Sequence, residues 1–259
     1  MKKHLLVLII SGLFFSANAQ TKILPAEAGS FVLKGYEMLD YITGDLNGDK
    51  RTDAILILKQ PGEDTLSNGE SSRPFFILIR QPNGKLKQQK RNDNVVLCRQ
   101  CGGVFGDPYD NTTITGNHFT IVFYGGSSWR WGYTYRFAYQ PARSNWLLVN
   151  EKQISFQSGD PETTTKEVII EEEELNGVTI DNFSSTPPNA DSKWKVTAAK
   201  TFFYDNPKLG SKTRKGYLLK DNLATGVREL KNFVELSFEN VKGQFTNGYV
   251  LKKDVVKIN

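Results

Sequence analysis

The chain has 259 residues, with 33 Lys and Arg against 28 Asp and Glu, two cysteines and two histidines. A formal charge of +5 is too mild to argue for a nucleic-acid partner, and beyond the N-terminal segment that carries His4 only Cys98, Cys101 and His118 remain, so only a carboxylate-supplemented or shared zinc site fits the count. With 12% aromatic residues and 22 glycines, short strands and tight turns are favoured over helices, so a mostly β fold is expected.

Lys2 and Lys3 precede an apolar run from Leu5 to Phe15, and Ala17-Asn18-Ala19 has the small-x-small pattern of a signal-peptidase site. Residues 1–19 therefore read as a signal peptide, with a periplasmic or secreted mature chain starting at Gln20. Cleavage removes two lysines and leaves 31 basic against 28 acidic residues, a formal charge of +3. No cysteine follows the apolar run, which argues against a lipid anchor, and no later stretch approaches the ~20 apolar residues that cross a bilayer.

Residues 20–183 read as one antiparallel β-meander domain. Ala54 to Leu58 and Phe75 to Arg80 are continuous apolar runs suited to strands covered on both faces. Asn83-Gly84 and Gly116-Asn117 are two-residue hairpin signals, and Phe119, Ile121 and Phe123 share a face leading into Gly125-Gly126. Trp146 to Val149 and Ile154 to Phe156 read as two further strands. Residues 160–176, with a threonine run and the acidic block Glu171 to Glu174, read as a short helix or an exposed loop.

Within this domain, Gly44 to Asp53 places Asp45, Asn47, Asp49 and Asp53 at loop positions 1, 3, 5 and 9, the oxygen spacing by which a tight loop wraps calcium. Lys50 stands at the sixth position, where glycine usually permits the turn, and Leu56 at the twelfth, where a glutamate would close the shell. Two readings stay open: a calcium loop, or a hairpin whose acidic side chains cap backbone amides. Followed by the strand Ala54 to Leu58, the loop resembles the loop-then-strand unit of FG-GAP and VCBS repeats. It occurs once, so a full propeller is not expected.

Cys98-Arg99-Gln100-Cys101 has the spacing of redox pairs, but the glycine-rich Gly102 to Pro108 that follows cannot start the helix that a thioredoxin-type pair needs. A local structural disulfide is the favoured reading, with free thiols or metal as alternatives. No Gly-x-Ser-x-Gly elbow is present, and His118 beside a hairpin turn reads as an exposed strand residue rather than a partner for a cysteine nucleophile.

Trp129, Trp131, Tyr133, Tyr135, Phe137 and Tyr139 occupy every second position, so one strand face carries a stripe of rings ~35 Å long. Tyr133 to Tyr139 read as core. The Trp129 to Trp131 end reads as a candidate ligand surface, where Gly125-Gly126 and the Cys101 to Tyr109 loop converge. There Tyr109, Trp129, Arg130 and Trp131 would form a rim able to stack on a sugar or clasp a peptide carboxylate.

Ser184 to Lys193, with Pro187-Pro188, has a linker's composition. Residues 194–259 then read as short strands at Lys195 to Tyr204, Tyr217 to Leu223, Phe233 to Phe238 and Gly248 to Ile258. Thr201-Phe202-Phe203-Tyr204 before Pro207, Gly216-Tyr217-Leu218, and Thr246-Asn247-Gly248-Tyr249-Val250 followed by Asp254-Val255 resemble a bacterial SH3-like barrel. The resemblance covers about a quarter of the chain. It implies binding of a peptide, a cell-wall component or a protein partner.

The expected function is therefore an exported, non-enzymatic binding protein. The alternatives are a peptidoglycan or polysaccharide hydrolase using carboxylates that nothing in the sequence singles out, and a protein inhibitor or toxin-neutralising partner.

Overall fold

The computed structural model describes residues 23–63, 71–185 and 192–258. The expected signal peptide (1–19) and most of the expected linker (184–193) lie outside the described residues. The described chain is mostly β, with three antiparallel sheets. No helix among the described residues is long and apolar enough to cross a membrane.

The first sheet holds β1 (Glu37–Gly44), β2 (Asp53–Lys59), β3 (Arg73–Arg80) and β4 (Leu86–Val96) in sequence order. Its two central strands are the continuous apolar runs, and both their faces are covered. Ile55, Ile57, Phe75 and Ile77 enter the main core, while Ala54, Leu56, Leu58, Phe76 and Leu78 pack beneath the segment that precedes β1. Alternation alone explains this, because successive side chains of a strand face opposite ways. Gly84, at φ 79°, makes the β3–β4 turn where the Asn-Gly signal stands.

The second sheet runs β5 (Tyr109–Thr115), β6 (His118–Gly126), β7 (Trp129–Gln140), β8 (Asn145–Gln157) and β9 (Lys166–Glu171), again in sequence order. Phe119 joins the sheets, with its ring centroid 5.7 Å from Phe75 of β3 and 4.8 Å from Phe137 of β7. The two strands expected after β7 are one, because the polar stretch between them stays paired. A β-bulge divides it: Arg136 pairs with Asn150 and Phe137 with Leu148, leaving Val149 as the extra residue. The bulge moves the inward phase from Trp146 and Leu148 to Glu151, which is buried opposite Tyr135. Residues 160–176 hold one helical turn, Pro161–Thr164, but also β9, whose Ile170 is buried.

The third sheet contains β10 (Ser192–Val196), β11 (Lys200–Tyr204), β12 (Thr213–Leu219), β13 (Leu223–Glu229), β14 (Phe233–Glu239), β15 (Phe245–Leu251) and β16 (Val255–Ile258). They lie in the order β12-β11-β15-β14-β13-β10-β16. The four runs read from the sequence become these strands because turns fall inside them, as at Asp221, whose φ is 68°. Val234, Leu236 and Val250 face a local core with Trp194, Val196 and Phe203, whereas the alternate residues Phe233 and Tyr249 belong to the main core. The two halves of the chain therefore share buried surface. Glu174, from the acidic block, is buried at this junction and accepts from the Asn232 amide at 3.0 Å and its side-chain nitrogen at 2.7 Å.

Candidate functional site

At the β6–β7 tip, Gly125-Gly126 and the loop following the cysteines do converge. Cys98 and Cys101 form a disulfide closing a turn in which the Cys101 amide donates to the Cys98 carbonyl at 3.1 Å. The Gly126 amide donates to Gly102 at 2.9 Å, and the Val104 amide to Gly126 at 3.2 Å. Only glycine fits here: a Cβ on Gly125 would lie 2.6 Å from the Trp131 ring, and Gly126 adopts φ 115°. On the far side, Arg73 anchors the loop. It is fully buried and donates to both Glu63 oxygens, both Asp107 oxygens and the Leu97 carbonyl, at 2.5 to 3.1 Å. All five guanidinium donors are thereby used.

The locked loop lifts Val104 and Phe105 into solvent beside Tyr124 and Trp129, which are 77%, 48%, 39% and 52% exposed. Arg130 lies with its guanidinium 3.9 Å over the Phe105 ring, and Phe105 meets Tyr124 edge-on at 5.7 Å. Arg130 Nη1 is buried and has no hydrogen-bond partner among the described residues. Trp131 is half-buried and packs on Tyr133 at 5.3 Å. Tyr109 lies away from this rim: its hydroxyl bonds Asp40 and Thr112, each at 2.9 Å, and its ring packs on Phe123. Phe105 takes the place expected for Tyr109, because Tyr109 is already paired in β5 and faces the core.

In the acidic loop, Asp45, Asp49 and Asp53 each offer an oxygen within 4.8 Å of the others. Those oxygens already accept internal bonds. Asp45 takes the amides of Asn47, Gly48, Asp49 and Lys50, Asp49 takes the Arg51 amide and guanidinium and the Asn47 side-chain nitrogen, and Asp53 takes the amides of Leu46 and Arg80. Lys50 makes the turn at φ 66°, the left-handed conformation that glycine would supply more easily. Trp146 donates to the Leu46 carbonyl at 2.9 Å, tying the loop to the second sheet.

Further along the ring stripe, Tyr135 and Phe137 are buried against Phe183, while Tyr133 and Tyr135 line a cavity of about 670 Å³ between the second and third sheets. Glu151 and Arg228 meet there at 2.5 Å. A second bulge, with Val227 as its extra residue, sets Arg228 opposite Glu235, and Glu235 pairs in turn with Tyr249. Burial drives the Glu235 carboxyl above its ordinary range; Arg228 opposes this, nearby Glu151 adds to it, and a hydrogen bond from Tyr249 opposes it. Burial likewise raises the Tyr135 and Tyr249 phenols, which stay neutral.

No protein-family model, curated protein or solved structure matches the chain.

Chemical capacity thus rests on the geometry. The disulfide removes both thiols, so no cysteine nucleophile exists among the described residues. His118 begins β6, and burial followed by the nearby Arg136 charge holds its imidazole below its usual value. The tip presents exposed rings beside a guanidinium, groups able to stack and to donate hydrogen bonds. The cavity residues Glu151, Arg228 and Glu235 escape sequence reading because two bulges, not strand alternation, aim the two ends of the ion pair.

Proposed function

We propose that the chain is an exported, non-enzymatic recognition protein that binds a peptide, a cell-wall component or a partner protein at the β6–β7 tip. The observation that carries this reading is Arg130, held over Phe105 with a buried Nη1 that has no hydrogen-bond partner among the described residues. A carbonyl or carboxylate oxygen of a ligand would supply the acceptor, and the exposed rings of Phe105, Tyr124 and Trp129 would stack on a sugar or an apolar side chain. The disulfide, the Arg73 network and the Gly125-Gly126 contacts support it, since a surface already ordered loses little entropy on binding. Export rests on the Lys2 to Ala19 pattern, and the SH3-like reading of 194–259 rests on its aromatic and glycine spacing.

Muropeptide, glycan and peptide arrays probed with the mature chain test the proposal. A ligand is expected whose affinity falls roughly 30-fold or more in Phe105→Ala or Trp129→Ala, as for a central aromatic anchor. Absence of any ligand, or unchanged affinity in both variants, contradicts it.

A carboxylate hydrolase is the second reading, favoured by one observation: Glu151 and Glu235 line the same cavity, and the surroundings raise the Glu235 carboxyl as a general acid requires. Lytic activity lost in Glu235→Gln would establish it. Calcium at Asp45, Asn47, Asp49 and Asp53 is a separate proposal, supported by converging carboxylates and opposed by the amides already bonded to them. A rise in melting temperature on adding calcium, abolished by Asp49→Ala, decides for the metal; no rise decides for a capping turn.

A further inference from the structure

The cavity between the second and third sheets carries more acid than base. Glu151, Glu229 and Glu235 line it against Arg228 and Lys257. Glu229 is paired with Lys252 at 2.6 Å and Lys257 is exposed, so the interior sets two carboxylates against one guanidinium. Glu151 is only 1% exposed. Its Oε1 accepts from Arg228 at 2.5 Å and Gln153 at 2.7 Å, while Oε2 has no hydrogen-bond partner among the described residues. A buried, charged acceptor left without a donor is costly.

One compact positive group would supply both what the charge balance and what Oε2 lack. An ammonium has three donors, enough to serve Glu151 Oε2 and Glu235 together. The walls suit the same group, because Tyr133, Tyr135, Phe183 and Trp194 line the cavity and aromatic faces attract cations. Its volume falls within the ~300–1,000 Å³ of small-ligand sites, so the cavity admits more than an ammonium head.

We propose that this cavity binds a ligand bearing a primary ammonium group, free or at the end of a longer chain, with Glu151 and Glu235 as its counter-charges. It shares no lining residue with the β6–β7 tip, so failure here leaves recognition at the tip standing, and the reverse holds too.

Calorimetric titration of the full mature chain tests this with cadaverine, with pentanediol as the uncharged match in length, and with trilysine as a chain-borne amine. An amine is expected to bind and pentanediol to bind far more weakly; preference for cadaverine marks a free amine, preference for trilysine a chain-borne one. Glu151→Gln and Glu235→Gln should each weaken the amine roughly ten- to a hundredfold. Because Glu151→Gln removes the charge paired with Arg228 and can impair folding, Glu235→Gln, with its fold checked by circular dichroism, is the deciding variant. The proposal is overturned if neither amine binds, if pentanediol binds equally well, or if amine affinity is undiminished in Glu235→Gln.

Discussion

Asp45 and Glu235 are both carboxylates near other charges, yet their environments drive them apart. Burial alone would raise Asp45, but the amides of Lys50, Gly48, Asn47 and Asp49 outweigh it and hold the carboxyl below its ordinary value. A depressed folded value stabilises the fold above the unfolded pKa, and that contribution is lost as pH falls through the folded one. Asp45→Asn is therefore expected to flatten the loss of stability on acidification, read by urea melts across the carboxylate range. Glu235 has the opposite sign: its raised value gives a contribution present at low pH and lost as pH rises. Glu235→Gln should accordingly gain stability relative to the parent near neutrality and less in mild acid. Arg73 is the third decisive side chain, since Arg73→Ala would leave buried Glu63 and the half-buried Asp107 uncompensated. A loss of about 3–5 kcal/mol is expected in denaturant melts.

Elements divide by how local their causes are. β2 and β3 are legible as apolar runs because both their faces are buried, and the Asn83-Gly84 and Gly116-Asn117 turns because two positive-φ glycines mark them. β8 is not legible as one strand, since its middle is polar and its inward phase changes at Val149. Glu151 gives no sign of burial in sequence because its partner Arg228 lies 77 residues further along the chain. Phe105 is equally hidden: its exposure follows from the Arg73 network and the contacts at Gly126, neither of which local spacing reveals. The disulfide loop yields a sharper expectation. A cross-link spanning so few residues restrains the unfolded chain by only about 2 kcal/mol. The Cys98→Ser, Cys101→Ser double variant should lose no more than that in global stability but bind ligand at the tip more weakly, because Phe105 and Val104 are no longer held in place. Equal affinity in parent and variant would show that the disulfide does not order the tip.

Across the whole molecule, the long ring stripe meets three environments in turn: the exposed tip, the junction cavity and the main core. Tyr135 and Phe137 close the main core with Phe183, Tyr133 looks onto the junction cavity, and Trp129 stands free at the tip. The same core takes in Leu230, Phe233 and Tyr249, so the two halves are expected to unfold together, in a single calorimetric transition. Hydrogen–deuterium exchange of the chain with and without a captured ligand tests recognition at the tip most directly. Protection confined to residues 102–106 and 124–131 is the predicted result; protection elsewhere, with the tip exchanging as in the free protein, contradicts it.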